Sequence, residues 1–166
     1  EKIIELITQR TGITPRDSHI TGIKNFINKR LKELSEKEAQ VYYELLCSNR
    51  DEMISLINSA TVNETYFFRE EAQFQLLQSK ILPAIKAAAP ARPVRIWSAA
   101  SSSGEEIYSL LLLAEAMNIK TECTASDINT KVLEECEAGL YKKNAVRSVD
   151  GAAFHHLLAP YRQADG

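Results

Sequence analysis

The sequence predicts an α/β chain, with a small all-α region followed by the opening part of a nucleoside-binding α/β unit. Three observations carry this. Before residue 62, apolar residues recur at helical spacing in four successive runs joined by short links. Val94, Ile96 and Trp97 form a short β-type run that passes through seven small residues, Ser98 to Gly104. It then continues as an apolar-rich helical pattern from Leu110 to Met117. Finally, Thr121 to Ser126 read as a second strand, closed by Asp127.

Each element has its own signal. Ile3, Ile4, Leu6 and Ile7 mark a first amphipathic helix that stops near Thr11-Gly12. Pro15 opens a second start region, after which Ile20, Ile23, Phe26, Ile27, Leu31 and Leu34 recur at helical spacing. Ser35-Glu36-Lys37-Glu38 reads as a capping box for a helix carrying Val41, Tyr42, Leu45 and Leu46. Asn49-Arg50-Asp51 breaks it, and Met53, Ile54, Leu56 and Ile57 make a fourth short helix. Residues 1–61 are therefore read as an all-α helical domain. Residues 62–93 are read as a linking segment and helix: Tyr66, Phe67 and Phe68 stand between polar residues, then Phe74 to Ile85 continue helically, with Pro83 predicted to kink or shorten the helix. From residue 94 to 166 the chain is read as the start of an α/β domain. Its second strand leads into a helix with Val132, Leu133 and Cys136 on its apolar face, ended by Gly139. Phe154, Leu157 and Leu158 hint at one more helix. Two strands do not make a buried parallel sheet. The pattern thus predicts a chain that stops partway through its α/β domain, with exposed sheet edges that favour dimerisation or swapping.

Composition narrows the class. The chain has 166 residues, 45% hydrophobic and 25% charged, enough for a core. Its formal net charge of −2 gives no global reason to expect nucleic-acid or membrane binding. No apolar run spans a bilayer and no secretory signal opens the sequence; Glu1 in place of Met predicts a trimmed start. Cys47, Cys123 and Cys136 are odd in number and lack a C-x-x-C pair, which suits small buried thiols in a reducing cytoplasm and predicts no metal site.

The small-residue loop is neither G-x-G-x-x-G nor a P-loop, because Ala99 and Ala100 stand where early glycines belong and no Lys follows Gly104. Glu105 and Glu106 sit in the first helical turn. They suit the helix dipole whatever the function, and they favour a ligand carrying positive charge over a dinucleotide phosphate. Asp127 follows the second strand, roughly 20 positions past Gly104, where an acid binds ribose hydroxyls; the same spacing equally allows a helix cap. Arg69 reads either as a ligand contact or as a surface residue with its stem on Phe67 or Phe68. Asn63 and Thr65 are ordinary turn and capping residues by type, and His155-His156 is most simply a surface pair.

Asn63-Glu64-Thr65-Tyr66-Phe67-Phe68-Arg69, then Arg95-Ile96-Trp97-Ser98-Ala99-Ala100-Ser101-Ser102-Ser103-Gly104-Glu105-Glu106-Ile107-Tyr108-Ser109, then Ala125-Ser126-Asp127-Ile128-Asn129 with Gly139-Leu140-Tyr141, resemble the CheR-type chemotaxis receptor methyltransferases. The resemblance runs over essentially the whole chain. It departs at Ile107, where Pro is usual, at Ser101 and Ser103, and in lacking the family's later strands with their Asn-bearing strand end. It implies a truncated Rossmann-like methyltransferase domain after the helical one, and S-adenosyl-L-methionine as cofactor, held by Asn63, Thr65, Arg69, Glu106 and Asp127. It further implies O-methylation of glutamate side chains on cytoplasmic chemoreceptor helices. Arg69 is the residue expected to position the reacting groups, and Lys24, Lys29 and Arg30 are a candidate basic docking face for acidic receptor helices; Glu33, Glu36 and Glu38 close by equally suit a solvated face. A second reading is a non-enzymatic receptor-binding fragment or degenerate relative; a third is a same-fold methyltransferase with another acceptor.

Overall fold

In the computed structural model, which describes residues 1–35, 38–147 and 150–162 apart from the side chain of Ser18, the chain divides into two units. The first comprises Glu1–Val62 with Ile128–Thr130, and the second Asn63–Asp127 with Lys131–Gly166. Of residues 62–93, read from sequence as a linking segment and helix, Val62 groups with the first unit and the rest with the second.

Four helices build the first unit: α1 (Lys2–Thr11), α2 (Asp17–Glu33), α3 (Ala39–Ser48) and α4 (Arg50–Ala60). Gly12 ends α1 in the left-handed region at φ 73° and returns its N–H to the Thr8 carbonyl, a conformation that costs a side-chain-bearing residue about 1 kcal/mol. The anticipated capping box does not form. Helix α3 opens at Ala39 with Glu38 as its N-cap and no side-chain cap bond, while Ser35 turns the chain after α2 at φ 56°; Glu36 and Lys37 lie outside the described residues. The break before α4 is a single residue, because Asn49 both ends α3 and caps α4, its side chain accepting from the Glu52 amide at 3.0 Å. Ile7, Ile23, Leu56 and Tyr42 are the most deeply buried side chains here.

The second unit begins with an extended stretch and a tight turn, then α5 (Glu71–Leu76), a π-helical turn (Leu77–Ile81) and α6 (Leu82–Ala88). The expected kink at Pro83 takes the form of this π turn. Proline has no N–H to donate and crowds the preceding turn, so the backbone widens just ahead of it. Strand β1 (Val94–Ala99), helix α7 (Glu105–Ala116) and strand β2 (Thr121–Ser126) form a parallel pair with its crossover helix, in register from Val94 with Thr121 to Ala99 with Ser126. Helix α8 (Thr130–Ala138) ends at Gly139, φ 62°. The last predicted helix is a 3-10 segment, Ala152–Tyr161, which buries Phe154 and Leu158. Val94, Leu113, Ala114 and Ile119 pack with Phe67, Phe68, Phe74 and Phe154 in one core; Phe68 stacks on Phe154 and meets Phe74 edge-on, both at 5.3 Å between ring centres. Trp97 points the other way and is 70% exposed, so the sheet face carrying Arg95 and Trp97 is open among the described residues. No helix among them is long and apolar enough to cross a membrane.

Candidate active site

The loop between β1 and α7 needs unusual backbone. Ala100, Ser102 and Gly104 lie at φ 60°, 50° and 95°, three left-handed residues within five positions. Gly104 admits no side chain, since an added Cβ would stand 2.3 Å from Cys136 Sγ and 3.0 Å from the Tyr141 hydroxyl. Tyr141, whose burial pushes its phenol pKa well up, donates to the Ser103 carbonyl at 2.6 Å and ties the loop down. The two left-handed residues that carry side chains cost of order 1–3 kcal/mol each and persist only where the surroundings over-determine them, a pattern concentrated at ligand clamps.

This loop gathers several of the sequence-predicted residues. The Ser102 amide donates to Asp127 Oδ2 at 2.8 Å, and the Ser102 hydroxyl donates to the Asn63 carbonyl at 3.1 Å. Asp127 therefore stands at the end of β2 with its carboxylate oriented by the loop. Asn63 meets the same loop through its backbone, and Thr65 is half-buried in the same extended stretch. Glu106 is exposed at the head of α7, and the buried Ser98 hydroxyl at the end of β1 donates to its Oε1 at 2.6 Å. Its neighbour Glu105 is buried and takes the Ser103 hydroxyl at 2.7 Å, so the two helix-start acids separate into one facing out and one serving the loop. Arg69 is exposed, donates to the Glu64 carbonyl at 2.9 Å and lies 5.8 Å from the Tyr66 ring centre. Arg69 and Glu106 line one groove of about 820 Å³ together with Glu70, Trp97 and the β1 edge.

Four positioning groups escaped sequence reasoning. Ser98 and Ser102 were legible only as small loop residues. Ser109, fully buried, accepts from the Phe68 amide at 2.9 Å and donates to the Glu105 carbonyl at 2.6 Å. Asp150 accepts from the Tyr66 hydroxyl at 2.8 Å and from the amides of Glu70 and Glu71 at 3.0 and 3.2 Å. The Glu70 amide, then the Tyr66 hydroxyl and the Glu71 amide, hold the Asp150 carboxyl below the usual carboxylate range. Asp150-Gly151 is a turn-type dipeptide, and that was the available signal. His155 also departs from the surface reading, being half-buried with Nε2 inaccessible and no hydrogen-bond partner among the described residues.

In the first unit the three cations of the expected docking face differ. Arg30 is engaged: its Nε and Nη2 meet Glu52 Oε1 and Oε2 at 2.8 and 2.6 Å, and it also bonds Glu33. Glu52 is buried and additionally takes the Tyr42 hydroxyl at 2.7 Å, so Arg30 completes an internal network and is not freely presented. Lys29 is exposed, 3.8 Å from Glu33. Lys24 lines a groove of about 430 Å³ with Lys2, Tyr43 and the isoleucines 3, 4 and 27.

The donor set fits S-adenosyl-L-methionine. Glu106 offers an exposed carboxylate that suits a cationic group, and Asp127 offers a carboxylate of the kind that accepts from hydroxyls. The hydroxyl of Ser101, a residue 2% exposed in the loop after β1, has no hydrogen-bond partner among the described residues.

Comparison with known proteins agrees. Residues 63–163 match the family model "CheR methyltransferase, SAM binding domain". Chemotaxis protein methyltransferase 2 of Vibrio cholerae is 33% identical over 95% of this chain and 57% of its own length. The chemotaxis protein methyltransferase of Escherichia coli is 36% identical over 89% and 52%. That of Vibrio parahaemolyticus is 41% identical over 69% and 41%. The chain thus spans about half the length of the curated relatives it matches. S-adenosyl-L-methionine is the cofactor of the matched domain, and the chain belongs to the CheR methyltransferase family.

Proposed function

We propose that this chain is the helical domain and the opening βαβ unit of a Rossmann-like protein-glutamate O-methyltransferase that acts on the cytoplasmic helices of chemoreceptors. The observation that supports it most is the shared groove of Arg69 and Glu106, beside a loop whose Ser102 amide orients Asp127. When bound, S-adenosyl-L-methionine supplies an electrophilic methyl group on a sulfonium centre. Asp127 would accept from the ribose hydroxyls, Glu106 would balance positive charge at the methionine end, and the small residues from Ala100 to Gly104 would let the backbone come close to that end. Asn63 and Thr65 complete the wall. An acceptor glutamate with an ordinary pKa of about 4.3 is already ionised at neutral pH, so no side chain here has to remove a proton. The task left to the protein is alignment and desolvation. Arg69 serves alignment, because a tight ion pair with the acceptor would blunt its nucleophilicity. Lys24 and Lys29 steer the acidic receptor helix by charge.

The test is single-turnover methylation of receptor by the complete gene product, with binding of S-adenosylhomocysteine measured calorimetrically in parallel. Arg69→Ala is expected to lower turnover about a hundredfold at saturating cofactor. Lysine should rescue little, since a point charge does not reproduce the planar fork. Asp127→Ala is expected to weaken cofactor binding about tenfold, or about 1.4 kcal/mol. Receptor binding without methyl transfer by the unaltered protein would turn the reading into that of a non-enzymatic binding module.

A further inference from the structure

Arg69 sits at the middle of a short segment whose conformation local sequence does not favour. The residues on either side of it, Phe68 and Glu70, both lie in the left-handed region, at φ 55° and 62°, and neither is glycine, asparagine or aspartate. Such a pair holds only where something outside the segment fixes it. Part of the clamp is the Phe68 side chain, fully buried against Phe74 and Phe154, with its amide on Ser109. The rest comes from one carboxylate 80 residues further along the chain. Asp150 Oδ2 receives both the Tyr66 hydroxyl and the Glu70 amide, and Oδ1 receives the Glu71 amide, so a single side chain bridges positions before and after Arg69. Gly151 seals the arrangement: at φ 77° it lies so close to Phe68 that an added Cβ would stand 2.6 Å from the Phe68 Cβ and 2.8 Å from its carbonyl oxygen. Arg69 itself makes no ion pair with this carboxylate; it bonds the Glu64 carbonyl and passes near the Tyr66 ring that Asp150 holds.

We infer that Asp150 is the positioning residue for Arg69: with Gly151 it pins the Tyr66 to Glu71 turn so that the guanidinium is presented to the groove shared with Glu106. This rests on the role proposed above for Arg69, and its test has one arm that does not depend on that role. Trypsin cleaves after arginine, and cleavage within a folded segment requires the segment to open. In the complete gene product, Asp150→Ala is therefore expected to speed native-state trypsin cleavage at Arg69 about tenfold or more, followed by mass spectrometry, while cleavage at Arg50 is unchanged. In single-turnover methylation, Asp150→Ala is expected to cost about tenfold, and Asp150→Asn and Tyr66→Phe less. Affinity for S-adenosylhomocysteine should move less than about twofold, since the Asp127 end is untouched. The deciding readout is the double mutant: if Asp150 acts through Arg69, its loss costs less than about twofold once Arg69 is already alanine.

Equal losses with and without Arg69 would overturn the inference, as would faster cleavage with unchanged turnover. Should Asp150→Ala fail to fold, Tyr66→Phe, which removes one of the three bonds and leaves the backbone amides alone, carries both arms. Near wild-type turnover in Arg69→Ala alone marks failure of the Arg69 reading itself, while the trypsin arm still reports whether the carboxylate holds the turn.

Discussion

The two units use charge and backbone in opposite ways. In the helical unit the most buried carboxylate, Glu52, is tied to Arg30 and Tyr42, and the only non-glycine residue at positive φ among those described is Ser35, in the turn after α2. In the α/β unit the strand-end Asp127 and the helix-start Glu106 are oriented by an amide and a hydroxyl, and Phe68, Glu70, Ala100, Ser102 and Asn118 all take left-handed conformations. The first pattern spends polar groups on internal order. The second keeps carboxylates and a guanidinium presented at a groove and accepts backbone strain to do so. The lesson is that sites of strain, more than sites of charge, separate the region that binds from the region that supports.

Glycines give the largest expected contrast. Gly104→Ala forces a Cβ into Cys136 at φ 95° and should cost about 2–4 kcal/mol in overpacking and strain. Gly12→Ala, at φ 73° with nothing within 4 Å of the added Cβ, should cost only about 1 kcal/mol. Urea unfolding of both variants measures this; equal destabilisation would erase the contrast.

Next is Glu52→Ala, expected to cost about 2 kcal/mol by leaving Arg30 and Tyr42 without their shared acceptor. Arg30 first, and Tyr42 after it, hold the Glu52 carboxyl below its ordinary value against the opposing effect of burial. A group whose folded pKa is lowered contributes stability that is present above the unfolded value, about 4.3, and lost as pH falls through the folded one. Stability of the helical unit should therefore drop in acid below about pH 4, and Glu52→Gln should flatten that part of the profile, as read by circular dichroism across pH.

The smallest effect concerns docking. Lys24→Glu with Lys29→Glu should weaken receptor binding a few-fold, about 1 kcal/mol, at low salt and hardly at all at high salt, with cofactor affinity unchanged. Arg30 is left in place, because reversing it would unfold the Glu52 network and confuse packing with steering. Binding that does not vary with salt in either protein would return both lysines to solvation.

Helix positions, the two strands, the glycine stops at Gly12 and Gly139 and the loop before α7 were all legible from residue order, because periodicity, turn chemistry and β-branching act within a few residues of themselves. The same locality made Asp127 and Glu106 readable as strand-end and helix-start acids. Where it failed, distance along the chain was the cause. The capping box at Ser35 lost to a helix that starts at Ala39. Arg30 looked like a surface cation until Glu52, 22 positions later, took it inward. Sequence alone determined most of which segments are helix, strand and loop. Only the tertiary structure decided that Ser98 holds Glu106, that Ser102 orients Asp127 and that Asp150 grips the turn bearing Arg69, because a hydrogen bond's partner is chosen by proximity in space, which no local pattern encodes.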